Sequence, residues 1–91
     1  MSTGDIRVQI VRRLGEIKKL NNGWARELNI VSWNGAEPKY DIREWSPDHE
    51  RMSRGITLTE VEISSLVSLY VNHKVNDGYE PFGKEEDVNE L

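Results

Sequence analysis

The chain has no cysteine. It therefore carries neither a disulfide staple nor a thiolate metal site, a composition suited to a reducing cytoplasm. It has no apolar run near the length that spans a bilayer, so no membrane partner is expected. The opening MSTGDIRVQ lacks an apolar h-region, and no signal peptide is expected. Glycine-rich phosphate loops, nucleophile motifs and Cys-x-x-Cys pairs are missing too, so neither an enzyme nor a cofactor is expected. Asp48-His49-Glu50 offers one imidazole among adjacent acids, without a second ligand set at helical spacing. It reads as a solvated loop, and no metal site is expected. With 91 residues the chain makes one small domain with a thin core. Such domains often gain stability by oligomerising.

Charge is unevenly distributed. The net charge is −4, yet residues 1–58 hold ten Lys/Arg against eight Asp/Glu, while residues 59–91 hold two Lys against eight acids. The acidity belongs to the last third, and the asymmetry says more than the total.

The first segment, DIRVQIVRRLGEIKKL, alternates: Ile6, Val8 and Ile10 share one face, and Arg7, Gln9 and Arg13 mainly the other. Period two predicts a strand, and Gly15 predicts a bulge that returns Ile17 to the core face. NNG at 21–23 and NGAEP at 34–38 are turn signals. Between them Trp24, Leu28 and Ile30 share one parity, and Glu27, Asn29, Val31 and Trp33 the other. In KYDIREW, Tyr40 and Ile42 are expected inward, with Lys39, Asp41, Arg43 and Trp45 outward. The loop SPDHERMSR leads to a short fourth strand, GITL, with Ile56 and Leu58 inward.

The period then changes to 3.6. TEVE at 59–62 is a capping box with Thr59 as N-cap, and the helix is predicted to run to about Asp77 with Gly78 beyond it. His73 falls late in this helix, where a cation is favourable. Ile63, Leu66, Val67, Leu69, Tyr70 and Val71 spread over about half the circumference, wider than the usual stripe of roughly 100°. The excess predicts a second apolar surface, most simply a partner subunit. The tail at 80–91, with five acids, one lysine, Pro81 and Gly83, reads as disordered. Four strands and one helix predict an α+β domain over 1–79 with an antiparallel sheet.

The non-core face of this sheet would interleave Trp33 and Trp45 with Lys39, Arg43, Arg7 and Arg13. Bases of an unpaired strand can stack on such rings, at about 1–3 kcal/mol each, while guanidinium groups pair with phosphate. A duplex hides those base faces. The structural alternative is that each outward Trp is covered by the helix, a loop or another subunit. Glu27, Asp41 and Glu44 also dilute the positive field.

At GWARELNIVSWNG, PKYDIREW, PDHERM and GITLT, from Gly23 to Thr59, the chain resembles the single-stranded-DNA-binding domain of the transcriptional coactivator positive cofactor four, most closely its short bacterial members. The resemblance implies a curved four-stranded antiparallel sheet, a C-terminal helix and a homodimer. The helices would contribute to the dimer interface through residues such as Leu66, Leu69 and Tyr70. It further implies that Arg43 contacts the strand, that Trp45 stacks on bases, and that Lys39, Arg54 and Trp33 line the channel. The turn before Lys39 differs from the family by about one residue. The loop after Trp45 is shorter and less basic than in the eukaryotic coactivators, and no counterpart of their Ser/Lys-rich upstream segment is expected. Strand binding, with little sequence preference, is thus the expected inheritance, rather than coactivation. The partner would be single-stranded DNA, or RNA, since stacking is indifferent to the sugar. Transcription regulation, replication and repair all remain open, in a nucleoid-associated cytoplasmic protein. A dimeric protein-interaction module without a channel is the alternative, and steep salt dependence separates the two.

The tail carries a net −4 and residues 1–79 are neutral. It is either solvated disorder, a competitor for the basic sheet, or a dock for a protein partner. On the second reading, deleting residues 80–91 is expected to tighten single-strand binding at low salt, read by fluorescence anisotropy. Unchanged affinity removes the competition.

Overall fold

The computed structural model describes residues 6–76. Four strands precede one helix: β1 (Val8–Lys19), β2 (Ala25–Trp33), β3 (Lys39–Trp45), β4 (Met52–Leu58) and α1 (Glu60–Asn76). The strands pair in chain order as one antiparallel sheet. This is the expected α+β order. The sheet segment through Glu60 and the segment from Val61 form two compact units. Gly78 and the acidic tail lie outside the described residues.

Local chemistry sets the turns. The Leu20 N–H donates to the Trp24 carbonyl at 2.7 Å, and the Gly23 N–H to the Leu20 carbonyl at 3.2 Å, closing the first hairpin at NNG. Asn34 and Gly35 take φ values of 53° and 78°, the consecutive positive angles of a type I′ turn that only Asn, Asp and Gly adopt readily. The helix begins one residue after Thr59, as the capping box predicts.

β1 departs from simple alternation. Its register against β2 shifts three times, between Ile10 and Arg12, Arg13 and Gly15, and Glu16 and Lys18. Each shift sets two residues of β1 against one of β2. Val11, Leu14 and Ile17 are the extra residues, so VRRLGEIKK advances in threes rather than twos. One bulge at Gly15 was expected; the strand has two more.

The bulges bear on which face is buried, because each adds right-handed twist and bends the strand. Ala25, Glu27, Asn29, Val31, Asp41 and Trp45, all of one parity, are buried. The opposite parity, expected to be the core, is more open. Leu28, Ile30, Tyr40 and Ile42 are only half-buried. Ile56, opposite Ile42, is 53% exposed, while Val8 and Ile10, expected on this face, lie opposite Trp33 and Val31 on the other. This is the pattern of a sheet coiled toward its polar-aromatic face: side chains crowd on the concave side and fan apart on the convex one. The expectation that Asp41, Arg43 and Trp45 face water is thereby corrected.

Gly55 makes the crowding workable. It pairs with Arg43 across β3 and β4. A Cβ there would collide with the Cβ of Arg43 and the carbonyl oxygen of Ile42, and would press on the Arg43 Nε. Gly55→Ala is expected to destabilise the fold by about 1–3 kcal/mol, the usual range for overpacking. The check is a lower urea midpoint at unchanged m-value.

The helix has no buried residue. Leu66, Leu69 and Tyr70 are 50%, 70% and 50% exposed. The Lys74 ammonium lies 5.9 Å from the Tyr70 ring centre, one turn along. Among the described residues, no helix is long and apolar enough to cross a membrane.

Candidate nucleic-acid interface

The concave face is organised around Arg43. Its Nε donates to Asp41 Oδ1 at 2.7 Å and its Nη2 to Asp41 Oδ2 at 2.8 Å, a two-pronged pair, while Nη1 donates to the Ser53 carbonyl at 3.2 Å. The guanidinium carbon lies 4.6 Å from the Trp33 ring centre, so the cation is stacked on the indole. Asp41 is fully buried and also accepts from the Thr57 hydroxyl at 3.2 Å. Alternation explains the assembly. Asp41 and Arg43 are two residues apart on β3, Thr57 and Gly55 face them on β4, and β2 brings Trp33 to the same face.

A second cluster lies beside it. Glu27 faces Arg43 in register. Its carboxylate sits 2.9 Å from His49 Nε2 and accepts from Asn29 Nδ2 at 3.0 Å. The His49 ring stacks on Trp45, with centres 5.6 Å apart and planes inclined by 26°. His49 reaches this position because the loop after β3 folds inward. The Ser46 hydroxyl donates to Asp48 Oδ1 at 2.7 Å and accepts from the Arg51 N–H at 3.0 Å. The Glu50 N–H also donates to Asp48 Oδ1. That N–H, with the Ser46 hydroxyl, holds the Asp48 carboxyl below the usual carboxylate range. Asp48 and His49 thus turn to different partners, which is why the Asp-His-Glu run does not act as one cluster.

The expected site residues are not all brought together. Trp33, Arg43 and Trp45 share the concave face, and Lys39, opposite Val31, stands exposed at its rim. Arg13 joins them only through the first register shift, which sets it opposite Asn29. Arg7 does not: Val8, not Arg7, faces Trp33, and Arg7 pairs instead with Asn34 through two backbone-linked hydrogen bonds. Arg54 is exposed beside the β4 irregularity, one residue out of step with Gly55. Sequence reasoning gave Glu27 only as a charge diluting the field of this face, and missed Asn29 and His49 as members of it. The shared parity of Glu27 and Asn29 with Trp33 was the available signal. For His49 there was none, since its position depends on a loop with φ of 60° at that residue.

A short antiparallel sheet that presents stacked aromatics and guanidinium on one face, followed by a single helix, defines a small α+β binding domain. The model of the family Transcriptional Coactivator p15 (PC4) matches residues 20–69, and the chain belongs to that family. The family consists of nucleic-acid-binding, non-enzymatic domains and is known in general for binding single-stranded DNA. An uncharacterized protein of Treponema pallidum (strain Nichols) is 46% identical over 65 residues, covering 71% of this chain and 76% of that protein.

Proposed function

We propose that this chain binds single-stranded nucleic acid, with little overall sequence preference, along the concave face of its sheet. The supporting observation is the Arg43–Trp33 stack, held edge-on by Asp41. It offers a rigid aromatic–cation surface where bases can stack, while Lys39, Arg13 and Arg54 remain exposed for phosphate. The working unit is a homodimer. Leu66, Leu69 and Tyr70 supply apolar area for a second copy, as do the open apolar residues Val11, Leu14, Ile17 and Ile56 of the sheet. The role belongs to transcription, replication or repair in the cytoplasm.

A protein-interaction module is the second reading. It is favoured by one observation: Arg43, Glu27 and Arg26 are each already paired with an opposite or imidazole partner. Fluorescence anisotropy with a labelled mixed-sequence strand of about 20 nucleotides, against the matching duplex, separates the two. Strand binding that weakens steeply with salt supports the channel, because phosphate contacts release counterions. No binding at low salt leaves the interaction module. A dimer mass by light scattering tests the assembly.

A further inference from the structure

The strand-binding reading makes no use of two buried polar groups on the concave face, Glu27 and Asn29. Glu27 is 6% exposed and Asn29 fully buried. With Arg13, Gly15 and Glu16 they line an open groove of about 180 Å³. The Asn29 amide gives its Nδ2 hydrogen to Glu27, and its Oδ1 has no hydrogen-bond partner. A buried acceptor of this kind calls for an explanation.

We propose that Trp45, Glu27 and Asn29 form a base-selective subsite for guanine, and that His49 occupies it in the free chain. The inference rests on the strand-binding reading of the same face. His49 already does what a base would do there. It is a flat nitrogen heterocycle stacked on the Trp45 indole, and its Nε2 lies 2.9 and 3.2 Å from the two Glu27 oxygens.

The carboxylate decides which base fits. An ionised carboxylate only accepts, and it takes two parallel N–H donors best. Guanine presents such a pair, N1–H and the 2-amino group. Adenine and cytosine set a ring-nitrogen lone pair beside their amino group, and thymine flanks its one N–H with two carbonyls. Each of these turns a lone pair toward Glu27. The 2-amino group also has a second hydrogen, which the orphaned Asn29 Oδ1 can accept. The occupant is displaceable. His49 sits at φ 60°, a left-handed conformation unfavourable for a residue with a Cβ. Its neighbours Asp48 and Glu50 are exposed, so the ring has room to rotate outward about its side-chain bonds while the loop keeps its hydrogen bonds to Ser46.

The test compares two labelled strands of about 20 nucleotides, longer than the footprint of one small domain. One is oligothymidylate; the other carries guanines at alternate central positions. The full chain is expected to bind the guanine strand about tenfold more tightly, the scale of one bidentate base contact. Inosine, which lacks the 2-amino group, should lose most of that preference. Glu27→Gln, of the same shape, should bind both strands alike, and His49→Ala should bind the guanine strand more tightly than the parent chain. Equal affinity of the parent chain for both strands overturns the subsite and leaves strand binding standing. So does a preference that survives in Glu27→Gln. If Glu27→Gln fails to fold, the inosine and His49→Ala arms decide. Failure to bind either strand overturns the strand-binding reading and the subsite with it.

Discussion

Arg43→Ala is expected to lower folding stability by about 3–5 kcal/mol, the usual loss when one partner of a buried ion pair is removed. The Arg43 side chain is 11% exposed and that of Asp41 is 0% exposed. Removing the guanidinium takes away both donors that face Asp41 and leaves Thr57 as its side-chain donor. A carboxylate stranded in that position has lost its compensation, whereas an amide there has no charge to compensate. Adding Asp41→Asn to Arg43→Ala should therefore recover a large part of the loss. Urea midpoints of the parent chain, the two single variants and the double variant measure the coupling. A loss below about 1 kcal/mol, with no coupling, would mean that solvent screens the pair as it does at a surface. The practical consequence concerns binding: a loss of strand affinity in Arg43→Ala has no bearing on contact with a strand until its folding has been measured.

Trp45→Ala is expected to lose about 3–5 kcal/mol of stability, the range for truncating a buried large aromatic. Trp45 is 3% exposed, faces Ala25 across the sheet and carries His49 on its ring. A water-facing Trp45 would have permitted this substitution without damage to the fold, and its burial reverses that expectation. Trp45→Phe keeps a stacking face and most of the volume, so it separates the two roles. It should stay folded while binding strands more weakly by a fraction of the roughly 1–3 kcal/mol that a stacked base contributes. Thermal melts followed by anisotropy on the folded variant make the measurement. A melt of Trp45→Ala that coincides with the parent chain would place the ring outside the core.

The two residues best suited by type to grip a strand are thus also the ones that hold the concave face together. These roles are compatible. A cation fixed by a carboxylate and laid against an indole loses little freedom when a base arrives, so less entropy is lost on binding. A mobile surface arginine lacks that advantage. Gly55 contributes to the same end by leaving room for the Arg43 stem.

Much of this molecule was readable from the order of its residues. Alternation in ARELNIVSW and KYDIREW set β2 and β3 and divided their side chains correctly into two faces, because the pleat imposes period two whatever the sheet does next. Asn and Gly marked the turns through their tolerance of positive φ, and Thr59 marked the helix start through its capping chemistry. These are local properties of a few neighbouring residues. Which of the two faces would be buried was not local. Hydrophobicity favoured the face of Leu28, Ile30 and Ile42, but coiling of the sheet crowds the face of Glu27, Asn29, Asp41 and Trp45 instead. The three shifts in β1 are relations between two strands, so VRRLGEIKK alone shows a drift to period three without showing what it pairs against. Arg13 gains its place on the site, and Arg7 loses its own, by that register. His49 meets Glu27 across 22 residues of chain, through a loop with a left-handed turn, a contact that only the folded sheet could create.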